Sequence, residues 1–411
     1  MLDIRNYAIV TAAYWGFMLT DGALRMLVLL HFHTLGYTPF QLASLFLVYE
    51  VMGIVTNATG GWIASRFGLK LTLTTGLAAQ IAALLALSAL DPNWSVAMSV
   101  SYVLLVQGVS GVAKDLTKMS SKSAIKLVVP KDAHGALYKW VALLTGSKNA
   151  IKGLGFFVGA FLLSTMGFTG GLYLMTAVLA VILIASLIAV DGTMGQSKKK
   201  TKFTEIFSKS AEINLLSAAR VFLFGARDVW FVVGVPVFLY DQLGWTFNEV
   251  GAFMAAWVIG YGFVQAIAPK LTVRSDDGRS AEVRGAAIWV AALALVPLAI
   301  LMALESGLPA GTVLIGGLAL FGLVFAVNSA VHSYLILALS EADGVSVNVG
   351  FYYMANAMGR LLGTLLSGLA YQWAGLTGCL GVAFAFLVTA ALFTVLLRRR
   401  VTGIVTHDAA S

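Results

Sequence analysis

Successive runs of about twenty apolar residues, repeated from Tyr7 to Leu397, restrict this chain more than any other feature. Twenty residues of helix rise about 30 Å, the thickness of a bilayer's hydrocarbon core. In that core each backbone N–H and C=O must find a partner inside the chain, and runs without strand alternation do so as helices. Only 11% of the 411 residues are charged and 59% are hydrophobic, whereas roughly a quarter are charged in soluble domains. The chain therefore reads as an all-α polytopic membrane protein. Its first run is no cleavable leader, because it is long, holds Asp21 and Arg25, and lacks a small-residue cleavage site.

Twelve spans fit the pattern, at approximately 7–31, 41–65, 72–90, 95–120, 133–164, 171–190, 213–240, 246–268, 285–304, 309–333, 346–373 and 376–397. Every second connection is basic: Arg66 and Lys70, then Lys126 and Lys131, then "SKKKTKF", then Lys270, Arg274, Arg279 and Arg284, and finally Arg398 to Arg400. The acidic "SEADG" after span ten is the exception. By the positive-inside rule both termini are cytoplasmic. The expected division is an N-terminal six-helix half (1–190), a basic cytoplasmic linker (191–211), a C-terminal six-helix half (212–400) and a cytoplasmic tail (401–411). Lysines of such a linker also attract anionic lipid, by about 1 kcal/mol each near the surface.

A charge at mid-bilayer costs on the order of 3 kcal/mol, so each one must face protein or a wet cavity. Spans three, six, nine and twelve carry none, and every third helix is expected to face lipid. The other eight hold Asp21 and Arg25; Glu50 and Asn57; Lys114, Asp115 and Lys118; Lys148 and Lys152; Arg220, Arg227 and Asp228; Glu249 and Gln265; Asn328 and His332; Asn356 and Arg360. A three-helix period repeated four times is what nested inverted repeats around a central cavity leave in a sequence.

The interior balance is positive. Arg25, Lys114, Lys118, Lys148, Lys152, Arg220, Arg227 and Arg360 outnumber Asp21, Glu50, Asp115 and Asp228, which points to an anionic ligand rather than a cation or neutral drug. By depth, Lys148, Arg227 and Arg360 are the expected direct oxyanion ligands, with Arg25 and Lys152 nearer the outer mouth. Lys114 and Lys118 mark an inner entrance, while Lys122 and Lys126 snorkel at the interface. The carboxylates serve proton coupling or charge pairing. Asp21 and Arg25, spaced i to i+4, are expected to pair within their helix. Arg227 either binds substrate or pairs with a carboxylate on another helix, and Asp228, about 100° away around the helix, need not be its partner. His332 is expected to be a satisfied residue near the cytoplasmic end of its span, and Tyr14, Trp15, Tyr352 and Tyr353 to pack or line the cavity. Glycines of "GSKNAIKGLGFFVG" allow close helix approach or bending.

Several function classes drop out. Cys379 is the only cysteine, so one chain cannot build a multi-thiolate metal site. No Walker loop, no His/Cys metal spacing and no nucleophile–base pair are recognisable, so no enzyme, no cofactor and no nucleic-acid partner is expected. Energy must come from a gradient.

The segment "GGWIASRFGLK", Gly60 to Lys70, resembles the loop signature between spans two and three of the major facilitator superfamily. Gly61, Arg66, Gly68 and Lys70 fit that gate motif, while Ser65 stands where the family has Asp. "VQGVSG" is similar to the span-four motif, with Leu104 replacing its arginine, and "GLGFFVG" lacks the proline of the span-five motif. More narrowly the chain resembles, nearly end to end, the ArsJ-type organoarsenical efflux transporters of bacterial arsenic-resistance operons. The likeness is densest in "YWGFMLTDGALRMLVLLHFHTLG", "GVAKDLTKMSSKSAIKLVVP", "ALLTGSKNAIKG" and "NLLSAARVFLFGARDVWFVVGVPVF". The resemblance implies a monomeric transporter of the bacterial inner membrane that exports 1-arseno-3-phosphoglycerate, supplied by a glyceraldehyde-3-phosphate dehydrogenase using arsenate, and so confers arsenate resistance. Proton antiport ranks ahead of uniport. The alternatives are an exporter or exchanger of other phosphorylated organic anions and, from another class, a transporter-like membrane sensor.

Overall fold

The computed structural model describes residues 2–128, 134–190, 210–272, 279–340 and 345–408. Its helices are α1 (Leu2–Thr34), α2 (Pro39–Ser44), α3 (Leu47–Ser88), α4 (Val96–Val128), α5 (His134–Ala189), α6 (Ala211–Val229), α7 (Val235–Asp241), α8 (Phe247–Ile267), α9 (Ser280–Glu305), α10 (Ala310–Ala338) and α11 (Val345–Asp408). Among the described residues, ten stretches are long and apolar enough to cross a membrane. Two of them, Gly146–Ala189 with 44 residues and Asn348–Thr402 with 55, are roughly twice the length one crossing needs. Each is interrupted: Gly167 has φ 71° and ψ −176° within α5, and Gly375 has φ 59° within α11, preceded by a non-helical Ala374. Gly68 breaks α3 in the same way, at φ 75°. A side chain at such φ would clash with its own backbone, so glycine is required at these three breaks.

The chain forms two compact units, Met1–Phe203 with Leu239–Ile259, and Thr204–Phe238 with Gly260–Ser411. A single cut at 191–211 therefore does not assign every residue, because the end of α7 and most of α8 pack with the first unit. Residues 191–209 lie outside the described part of the chain. At the other end, α11 continues helical to Asp408 where a tail was expected from 401.

In the first unit α1 is the central helix. Its apolar window is 78% buried, against 22% for that of Gly146–Ala189, whose Val181 and Ile188 are exposed. Helices α1 and α5 touch backbone to backbone: a Cβ at Gly155 would lie 2.4 Å from the Leu19 carbonyl oxygen, and one at Gly159 would lie 2.1 Å from that of Ala23. Small residues four apart permit this approach, as in other membrane helix pairs. Gly146, by contrast, has open space. Helix α3 meets α4 where the Thr72 and Ser120 hydroxyls stand 2.5 Å apart.

The second unit repeats the construction between α6 and α11. A Cβ at Gly359 would lie 2.2 Å from the Val221 carbonyl oxygen, and one at Gly363 would lie 2.7 Å from that of Gly225. Helix α6 then passes into a π-helical turn, Trp230–Gly234, before α7. Pro236 supplies no N–H and crowds the preceding turn, which is a sufficient cause for that irregularity. Ser367 on α11 steadies it, its Oγ accepting from the Val233 and Gly234 amides at 3.1 and 3.3 Å. Ile288, Leu295 and Met302 on α9 and Leu392 on α11 are exposed, as are Leu105 on α4 and Phe263 on α8.

Candidate functional site

The interior charges of the first unit form a chain of pairs that crosses four helical segments. Asp21 of α1 accepts from Lys152 Nζ of α5 at 2.5 Å and from the Tyr49 hydroxyl of α3 at 2.6 Å. Arg25, one turn further along α1, donates to Glu50 of α3 at 3.0 Å and lies over the Phe46 and Tyr49 rings. The expected Asp21–Arg25 pair is thus replaced by two interhelical pairs, because α3 and α5 bring better-placed partners than the helix itself. Fully buried Asp115 of α4 is reached by Lys118 and by the Thr56 hydroxyl, while Lys118 also donates to Asn57 at 2.8 Å. Lys114 stands 3.9 Å from Asp115 and 4.2 Å from the Tyr49 ring centroid. Asp21, Leu24, Arg25, Phe46, Tyr49 and Gln107 line a small cavity. Lys148 lies on α5 one turn before Lys152 and is half-buried.

In the second unit Arg227 and Arg360 gather at the carboxylate of Asp228, and Arg220 stands apart from it. Asp228 Oδ1 accepts from Arg227 Nε at 2.6 Å, and Oδ2 lies 3.4 Å from Arg360 Nε of α11. Adjacent residues on a helix diverge, yet Arg227 is long enough to curl back, so the expectation that it need not pair with Asp228 is corrected. Arg220, only 4% exposed, has no carboxylate partner among the described residues. Its Nε donates to Asn356 Oδ1 at 2.9 Å, and its Nη1 to the backbone oxygen and hydroxyl of Ser329 at 3.3 and 3.2 Å. The guanidinium stacks 3.7 Å from the Phe224 ring centroid and 4.9 Å from that of Tyr352. Ser329 Oγ further receives Tyr261 and Gln265 at 3.4 and 3.5 Å.

His332 was expected to be satisfied; instead it is buried with neither ring nitrogen hydrogen-bonded among the described residues, and the same holds for the amide of Asn328. Tyr352 packs as expected but serves as the platform for Arg220. Of the gate motif, Gly68 provides the break in α3 and Lys70 follows it, whereas the surroundings of Gly61 and of the Arg66 side chain lie outside what is described, as do those of the Lys122 and Lys126 side chains. Sequence reasoning passed over Tyr49, Thr56, Ser329 and Ser367. Each is a small or amphipathic polar residue that an apolar span tolerates for many reasons, and only its partner reveals its use.

Asp21 beside Gly22 and Asp228 near Gly225 repeat one scheme: a carboxylate on the first helix of each unit meets a base, Lys152 or Arg360, on the helix that packs closest to it. The two units thus repeat one way of packing helices. Solved structures share the fold. The chain is similar to a bacterial homologue of the iron transporter ferroportin in an inward-facing state, with TM-score 0.71, 14% identity, and coverage of 96% of this chain and 99% of that one. It is similar to a structure of a proton dependent oligopeptide transporter, with TM-score 0.73, 14% identity, and 98% and 100% coverage. It is also similar to a mutant of the nucleoside transporter NupG, with TM-score 0.72, 15% identity, and 97% and 99% coverage. The chain has the major facilitator type of fold. With its apolar helices this makes it a multi-pass membrane protein. No family model matches the sequence, and no curated protein matches it.

Proposed function

We propose that this chain is a secondary transporter that exports an organic anion, and that the anion is 1-arseno-3-phosphoglycerate. The observation that carries the anionic reading is the arginine cluster of α6 and α11, where Arg227 and Arg360 share the carboxylate of Asp228 and Arg220 has only neutral hydrogen-bond partners among the described residues. Uncompensated buried cations are costly, and a multiply charged anion supplies the missing charge while exploiting the arginine fork. The neighbours in fold are named for an iron transporter's homologue, for oligopeptides and for a nucleoside, so the scaffold hosts unlike cargo and the side chains must choose. The resemblance to ArsJ-type transporters selects the arseno-ester among phosphorylated anions.

Taken as turns, the breaks at Gly167 and Gly375 convert ten membrane-length stretches into twelve crossings, with both termini cytoplasmic and the bacterial inner membrane as the site of action. Transport proceeds by alternating access of a monomer. Expelling an anion from a negative interior is favourable by roughly 2.3 kcal/mol per charge per 100 mV. Proton entry through Asp21, Glu50, Asp115 or Asp228 adds to that drive, each acid lying in an ion pair with a cation. Efflux from vesicles that is unchanged when the pH gradient collapses at fixed voltage overturns the antiport.

The substrate is tested in cells that carry the chain, with and without a glyceraldehyde-3-phosphate dehydrogenase able to make the arseno-ester. Arsenate resistance and lowered arsenic accumulation are expected only with the dehydrogenase. Protection without it excludes the arseno-ester and leaves the export of other phosphorylated anions.

A further inference from the structure

We propose that the second unit holds two oxyanion stations, Arg220 and the Arg227–Arg360 pair, and that they receive the two acidic ends of one compact organic anion. This rests on the anion-export reading and specifies how its site is built.

Arg220 is the better-formed station. The guanidinium is hydrogen-bonded only to neutral groups, and the ring faces of Phe224 and Tyr352 confine it without supplying a counter-charge. On the same helix as its partner Ser329, Asn328 and His332 lie one turn apart, are almost fully buried, and have no hydrogen-bond partner among the described residues. His332 lies within electrostatic range of Arg220. Leaving an amide unsatisfied in the interior costs about 1–3 kcal/mol, so unpaired polar groups on the helix whose Ser329 holds Arg220 call for a ligand able to accept from them.

The second station lies on the same face of α6. Arg220 and Arg227 are seven residues apart, about two helical turns. Their guanidinium carbons are 3.7 and 5.2 Å from one and the same Phe224 ring centroid, so they are separated by no more than the sum of those lengths. A ligand whose two acid centres are joined by about four to six bonds of about 1.5 Å, as in 3-phosphoglycerate and the arseno-ester, spans a gap of that order. Phe224, with Phe325 packed 5.1 Å from it, offers the connecting carbons an apolar wall. At the far end the ligand competes with Asp228 for Arg227 and Arg360, which share that one carboxylate.

The test uses the purified full chain in lipid nanodiscs, with calorimetric titration of 3-phosphoglycerate, which has an acid at each end, and of glycerol 3-phosphate, which has one. Wild type is expected to bind the two-ended probe at least about tenfold more tightly. Arg220→Gln is expected to reduce that preference to within about threefold while glycerol 3-phosphate still binds at the Arg227–Arg360 station. Asn328→Leu removes an unpaired amide, so it is expected to keep or raise the melting temperature while weakening the two-ended probe. An unchanged preference in both variants makes Arg220 a structural strut and overturns the two-station proposal, with anion export intact. Absence of binding by either probe to wild type overturns both. If Arg220→Gln does not fold, Asn328→Leu decides, because a purely structural role predicts stability gained and binding unmoved.

Discussion

Replacing Asp21 with asparagine isolates the charge of the best-defined pair in the first unit. The Tyr49 hydroxyl can still donate to the remaining amide oxygen, so the change removes mainly the ionic contact with Lys152. The two side chains are 2% and 15% exposed. Breaking a buried pair by deleting one partner costs about 3–5 kcal/mol, and the partial exposure of Lys152 places this case near 3 kcal/mol. Lys152→Met, which keeps the aliphatic stem, is expected to cost a similar amount. Asp21→Asn with Lys152→Met leaves no uncompensated charge, so the double variant is expected to lose about 3 kcal/mol or less instead of about 6, a coupling near 3 kcal/mol. Reversible unfolding in mixed micelles, titrated with a denaturing detergent, measures all four corners of the cycle. Arg25→Met is the comparison, because Arg25 belongs to Glu50 and shares only Tyr49 with Asp21, so its coupling to Asp21→Asn is expected to be well below that of Lys152. Additive penalties for Asp21 and Lys152, or strong coupling between Asp21 and Arg25, refute the assignment of interhelical pairs.

Three further outcomes are open to the same measurements. Gly159→Ala and Gly359→Ala place a methyl group 2.1 and 2.2 Å from backbone oxygens of the facing helix and are expected to cost about 1–3 kcal/mol each, whereas Gly146→Ala, with nothing within 4 Å, should be neutral or slightly stabilising. Ser367→Ala removes the acceptor for two amides of the π-turn and is expected to lower stability by about 1–2 kcal/mol, with Ser367→Thr restoring part of it. The Cys379 thiol, fully buried and in van der Waals reach of Gly234, is expected to resist maleimide labelling in the folded protein and to react once unfolding begins, so labelling should follow the melting curve.

By itself the sequence determined the solvent, the secondary structure and the sign of the interior. Twenty-residue apolar runs admit one backbone solution in lipid, and the cost of each intramembrane charge means that a surplus of arginine and lysine must be used rather than tolerated. Spacing also placed Gly68 near a break, though only its φ of 75° shows that the break needs glycine. Tertiary structure alone decided who pairs with whom. Asp21 sits four residues from Arg25 and far along the chain from Lys152, yet close packing at Gly155 and Gly159 delivers Lys152, while Arg25 is claimed by Glu50. The same holds for the arginines: depth ranked Arg227 and Arg360 above Arg220, but both turned out to share Asp228, and Arg220 was left with neutral partners. Pairing depends on side-chain reach across helices, a separation in space of a few ångströms that no period along the chain encodes.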